Sequence, residues 1–243
     1  MISIAVMNQK GGVGKTTSTV NIGAGLSLNN KRVLLIDLDP QAHLTTSLGI
    51  DPDRTKHNTT FNYLTRLNLS LPYVVDRQMF DVIPSERSLI ALHDKVRTDI
   101  LRTNIKGIIN RYDFVLIDCP PGLDNLTLNA LDTAKSIFVI MQPDYLSFKG
   151  LQNLMEYLRE LNIKELGGVI FNGYDNRKNL NKEVVSNIKK IFGKAVFNTY
   201  IRSNVSLAEA PAQSKTIFEY RSGSNGAQDY MNLTKEILKR FNK

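Results

Sequence analysis

The run Lys10-Gly11-Gly12-Val13-Gly14-Lys15-Thr16-Thr17 constrains this chain more than any other feature. It follows directly on the apolar segment Ser3–Met7 and leads directly into a stretch of helical periodicity, so it reads as a strand–loop–helix unit. Its glycines let the backbone curl until several N–H groups face one point, and the helix N-terminus adds partial positive charge there. Together these make a cradle for phosphate oxygens. Lys15 is placed to reach β- and γ-phosphates, the Thr16 hydroxyl to ligate Mg²⁺, and Thr17 to add a phosphate contact.

Around that unit, short β-rich runs at Ser3–Met7, Arg32–Ile36, Phe80–Ile83, Phe114–Ile117, Ser136–Met141 and Gly168–Phe171 alternate with helical patterns. The helices are expected at about 15–29, 86–104, 124–134, 148–161, 180–192 and 225–241, with Ser85 and Ser147 as caps. Several strand runs are apolar without a break, as in strands covered on both faces. This order predicts an α/β fold: one doubly wound, mostly parallel sheet with helices on both faces, forming a single domain over residues 1–243. Residues 49–79, with Pro52, Pro72 and a short helix at Phe61–Leu67, read as an excursion beside the site.

A chain of 243 residues with 42% apolar content can bury a core without staples. Cys119 stands alone and His43, His57 and His93 show no ligand spacing, which excludes a disulfide scaffold and a His/Cys zinc site. The longest apolar runs, such as Ile137–Met141, fall far short of the roughly 18 residues of a membrane span. The N-terminus runs into the loop without a basic leader, so a soluble, cytoplasmic protein is expected.

The loop departs from an ordinary phosphate loop in two ways: Gln9 takes the place of the first glycine, and Lys10 adds a second lysine. A cation at the loop's start lies too far from its own γ-phosphate unless it serves another subunit. This spacing resembles the deviant Walker A motif of the ParA/MinD family, in which that lysine crosses a dimer interface to the partner's nucleotide. The resemblance continues in Leu34-Leu35-Ile36-Asp37-Leu38-Asp39-Pro40-Gln41 and in Val115-Leu116-Ile117-Asp118-Cys119-Pro120-Pro121-Gly122, which is similar to the family's Walker B and switch region. Ile201-Arg202-Ser203-Asn204-Val205-Ser206-Leu207-Ala208-Glu209-Ala210-Pro211 and Gly226-Ala227-Gln228-Asp229-Tyr230 resemble segments of its ParA/Soj branch.

The resemblance implies ATP and Mg²⁺ as cofactors and a role for each matching residue. Lys10 and Lys15 serve catalysis from the loop, Gly11, Gly12, Val13 and Gly14 hold phosphate, and Thr16 with Asp118, through water, holds the metal. Asp39 orients the attacking water, Asp37 fixes the local loop or metal shell, and Asn172 reads the adenine edge. From residues alone, Asn172 fits an Asx turn equally well. Cys119, with no His beside it in sequence, reads as a small buried residue.

Charge is unevenly placed. Residues 164–243 hold 14 Lys+Arg against 7 Asp+Glu, while residues 1–163 hold 17 against 16. A basic third suits either a polyanion partner or a merely solvated surface. In the Soj branch, arginines at two positions support non-specific DNA binding by the ATP-bound homodimer; here Ser203 and Asn225 stand there, leaving Arg202, Lys215 and Arg221, with Lys182, Lys189, Lys190 and Lys194, as candidates. The last helix is amphipathic and basic, and is expected to pack on the core, without stable membrane association. The resemblance thus implies a nucleoid-associated ATPase switch for DNA segregation with a ParB-type activator. The alternative is a MinD-like or cargo-positioning ATPase acting on membranes or protein assemblies. One cysteine excludes the related iron–sulfur carriers, which need two per subunit.

Overall fold

The computed structural model describes residues 1–52, 59–65, 73–74, 79–161 and 166–241. Its strands are β1 (Ile2–Met7), β2 (Val33–Asp37), β3 (Tyr73–Val74), β4 (Asp81–Ile83), β5 (Phe114–Asp118), β6 (Ser136–Met141), β7 (Leu166–Tyr174) and β8 (Ile201–Arg202). They form one sheet in the order β3-β4-β2-β5-β1-β6-β7-β8, parallel throughout except for the antiparallel β3–β4 pair. The expected doubly wound sheet is therefore present, with β3 and β8 added at its edges.

Alternation along each central strand sends side chains to two opposite cores. From β1, Ala5 and Met7 enter one hydrophobic cluster while Ile4 and Val6 enter the other; β2 divides Leu34 and Ile36 from Val33 and Leu35 in the same way. The second core is closed by α1 (Lys15–Leu28) and α10 (Asn225–Phe241). Tyr230, Leu233 and Ile237 of α10 are wholly buried there, so its apolar stripe is a core face. Thr234 approaches α1 so closely that a Cβ on Gly25 would lie 2.2 Å from its Oγ1.

The register puts the carboxyl ends of three strands side by side: Val6 pairs with Asp118, and Asp118 with Asp37. Ligands of open α/β sheets bind at that edge. Short helices α2 (His43–Ser47) and α3 (Thr60–Thr65) lie in the segment that follows β2. Of the helix expected at Phe61–Leu67, residues 66 and 67 lie outside the described residues, as does Pro72.

Two helix starts differ from expectation, and one helix divides. A 3-10 helix spans Arg87–Leu92 and α4 begins only at Ile100, ending at Ile109. Between them, Asn129 of α5 (Asn125–Thr133) accepts the Leu101 N–H (3.0 Å) and donates to Arg97 O (2.7 Å), replacing helical bonds there. Ser85 caps nothing. The helix α6 (Tyr145–Glu160) starts earlier than expected because Asp144, not Ser147, is its cap, accepting the Ser147 N–H at 2.8 Å. The remaining helices are α7 (Asn179–Phe192), α8 (Val205–Glu209) and α9 (Ile217–Arg221).

Candidate active site

The glycine loop leaves β1 and is braced from both sides. Asn8 donates through Nδ2 to Ile140 O (2.6 Å) and accepts the Lys10 N–H on Oδ1 (2.9 Å). Gly12 and Gly14 take φ of 71° and 93°, the left-handed region that suits glycine. No side chain caps α1 at Gly14, which leaves the helix N-terminus to an anion.

Lys15 is only 7% exposed, and its Nζ donates to Lys10 O at 3.3 Å. Thr16 Oγ1 donates to Asp118 Oδ2 (2.6 Å), and Thr19 Oγ1, one helical turn on, donates to Asp118 Oδ1 (3.1 Å). Opposite them Asp39, 7% exposed, accepts the Gln41 N–H on Oδ1 (2.9 Å). Gly11, Gly12, Lys15, Thr16, Thr17 and Asp39 all line one cavity of about 670 Å³.

Asp37 and Asp118 are wholly buried on adjacent strand ends. Burial, and then the charge of Asp118, pushes the Asp37 carboxyl up to about 8. Burial pushes Asp118 up to about 7 against the opposing pull of Thr16, Thr19 and Lys15. Two buried carboxyls short of positive charge, with a hydroxyl already 2.6 Å from one of them, fit a divalent cation. Cys119 is fully buried and its thiol is pushed well above the ordinary range, as suits an inert core residue.

Lys10 behaves differently from Lys15. Its Nζ pairs with Asp144 Oδ2 at 3.1 Å, with the two side chains 47% and 35% exposed, so the ammonium stands at the rim. The Asn172 Nδ2 donates to Val13 O (2.8 Å), and a Cβ on Gly14 would lie 2.0 Å from that nitrogen. In this arrangement the Asn172 amide braces the phosphate loop.

Of the candidate DNA contacts, Arg202 is engaged within the fold. Its Nε and Nη2 reach Asp229, the closest contact being 2.6 Å, and the Asp229 side chain is 8% exposed. A guanidinium fork turned onto a buried carboxylate braces the fold, while 43% of the Arg202 side chain stays exposed. Lys215 and Arg221 are exposed, as are Lys182, Lys190 and Lys194, while Lys189 lies 5.2 Å from the Tyr200 ring centre. Ser203 and Asn225 line one groove together with Arg202.

Sequence reasoning passes over Asn8, Thr19, Thr45 and Asp144, and reads Ser85 only as a helix cap. Thr19 carries a signal, since it repeats Thr16 at helical spacing toward the same carboxylate. Asp144 is a local helix cap, three residues before the N–H it accepts, whereas Asn8, Thr45 and Ser85 act through contacts between separate segments and carry no such signal.

Residues 1–167 match the family described as AAA domain. Across 96% of its length the chain is 37% identical to the sporulation initiation inhibitor protein Soj of Bacillus subtilis, covering 97% of that protein. To the chromosome partitioning protein ParA of Caulobacter vibrioides it is 36% identical, with 98% of this chain and 94% of that one covered. The chain belongs to the ParA/Soj family. The ParA-type fold also matches a solved cobyrinic acid a,c-diamide synthase of Mycobacterium smegmatis, bound to an ATP analog and magnesium. That match has a TM-score of 0.82 and 28% identity and covers 100% of this chain and 96% of the other. In this ParA-type chain the loop residues and Asp39 line one cavity, and the two strand-end aspartates lie buried side by side on adjacent strands.

Proposed function

We propose that this ParA-type ATPase is a Mg²⁺-dependent switch for DNA segregation, with residues 1–243 acting as one domain. In this reading ATP closes a homodimer, the dimer holds DNA without sequence preference, and a ParB-type partner triggers hydrolysis. The observation that carries it is the division of labour between two lysines of one loop. Lys15 is buried in the cradle, whereas Lys10 stands at the rim, 47% exposed and paired to Asp144. A cation displaced from its own cavity suits the nucleotide of a second copy.

In the reaction, Lys15 exchanges the Lys10 carbonyl for β- and γ-phosphate oxygens, and the loop N–H groups hold the rest of the chain of phosphates. Bound Mg²⁺ neutralises charge that develops on the phosphates. Thr16, and Asp118 through water, would hold that ion. Asp39, on the facing wall, orients the attacking water. Lys10 leaves Asp144 for the partner copy and adds charge stabilisation there.

Exposed Lys215 and Arg221, with Lys182 and Lys190 of α7, supply phosphate contacts, and dimerisation doubles their number. The protein then works in the cytoplasm on the nucleoid. Its last helix turns its apolar stripe into the core, which disfavours a membrane anchor. Mobility shifts on unrelated duplexes with ATP, ADP and no nucleotide test the reading, with liposomes as control. Binding only with ATP is expected. Equal binding in all three states removes the switch, and ATP-dependent liposome binding without DNA binding moves the protein to the MinD-like alternative.

A further inference from the structure

We infer that Ser85 is a positioning residue for Asp39, acting through a buried polar clamp that it shares with Thr45. The inference rests on the reading of Asp39 as the group that orients water. Ser85 follows β4 and is fully buried. Its Oγ donates to the Asp39 carbonyl at 2.6 Å, and its N–H donates to Thr45 Oγ1 at 2.8 Å. Thr45 in turn donates to Asp37 Oδ2 through Oγ1 (2.7 Å) and N–H (3.0 Å), while Asp37 Oδ1 accepts the Asp39 N–H (3.1 Å). Thr60 Oγ1 donates to the Asp37 carbonyl at 2.6 Å.

The turn from Asp37 to Ala42 is thus bonded from β4, α2 and α3 at once. Within it Ala42 has φ 52°, a conformation that a non-glycine residue keeps only where its surroundings impose it. The Asp39 carboxylate projects from this frame into the cavity, whereas its carbonyl is the part that Ser85 grips. A side chain that must place one water gains from such a frame, because displacements of about 1 Å in a reacting group cost large factors in rate. The Ser85 hydroxyl has no capping duty, since the cap position of the following 3-10 helix is Glu86.

The test compares Ser85→Ala, Ser85→Thr and Asp39→Ala in the full-length protein, measuring kcat, KM for ATP, nucleotide affinity and thermal midpoint. Ser85→Ala is expected to lower kcat about five- to tenfold, the scale of one neutral hydrogen bond, with KM and ATP affinity within twofold of the parent. Ser85→Thr, which keeps the hydroxyl, restores most of the rate. Added to Asp39→Ala, Ser85→Ala lowers the residual rate no further, because its effect passes through Asp39. If Ser85→Ala melts below the assay temperature, Ser85→Cys, similar in size and a weak donor, takes its place in the same comparison. Parent-like kcat in Ser85→Ala beside an inactive Asp39→Ala overturns the inference alone. ATP affinity falling in step with kcat also overturns it, since that marks a general loss of structure. Parent-like turnover in Asp39→Ala defeats the underlying reading of Asp39.

Discussion

The nucleotide cradle and the basic last third of the chain handle charge in opposite ways. In the cradle, the charged groups sit on strand ends, a braced loop or the first residue of α1, and each has a fixed partner: Lys15 on a carbonyl, Asp118 under two hydroxyls, Asp37 under Thr45, Asp39 under the Gln41 N–H. In the last third, several cations are turned inward for structure. Arg202 grips Asp229, and Arg240 lies 3.7 Å from the Phe197 ring centre while donating to Ala195 O. The excess of basic residues there overstates the charge offered to a partner. A cradle built from singular contacts should fail sharply when one is removed, and a surface of dispersed lysines should weaken by degrees.

The sharpest failure is expected for Asp39→Ala. Loss of the group that places water should lower kcat about a hundredfold or more while ATP still binds, leaving a dimer trapped in its ATP form. Turnover and sedimentation with ATP read both effects. Next, Lys15→Ala should weaken ATP binding by about a hundredfold, the scale of charge-assisted phosphate contacts. Lys10→Ala should bind ATP normally but fail to dimerise. A Lys10→Ala protein that still sediments as a dimer with ATP would erase the contrast between the two lysines.

On the other face, Lys182, Lys189 and Lys190 changed together to Glu should weaken DNA binding and make the slope of log K against log salt shallower by about two to three, similarly on unrelated duplexes. Smallest is Arg202→Ala. It should cost about 1–2 kcal/mol of stability by removing the guanidinium from Asp229, a moderate figure because the arginine is itself 43% exposed and the carboxylate keeps the backbone N–H of residue 202. Thermal unfolding measures that cost, and the DNA salt slope should stay unchanged. A slope shift equal to that of an α7 lysine would return Arg202 to the DNA face.

The cradle is legible in sequence because phosphate chemistry fixes residue types at fixed spacing along one continuous segment, from Gly11 to Thr17. Asp39 and Asp118 follow from their places after unbroken apolar strands. What escapes is decided between segments. The break in the helix expected at 86–104 is made by Asn129, from α5. Ser85 reads as a cap because it precedes a helical pattern, yet its hydroxyl answers to a carbonyl 46 positions earlier. Arg202 reads as a surface cation because no local pattern shows that Asp229 will come to lie beneath it. Asn172 ends beside Gly14 only because β7 adds to the sheet next to β6.

The packing of α1 against α10 bears on when this molecule becomes active. Ser18 meets the Tyr230 hydroxyl at 3.0 Å, and Asn21 accepts the Ile217 N–H at 2.8 Å, so the helix that begins at the phosphate loop is backed by α9 and α10. That support leaves the ribosome about two hundred residues after the loop itself. A nascent chain carries the complete phosphate motif without the wall that steadies it. Truncation before α10 would leave the phosphate motif intact but remove the Tyr230 hydroxyl and the apolar face against which α1 is packed.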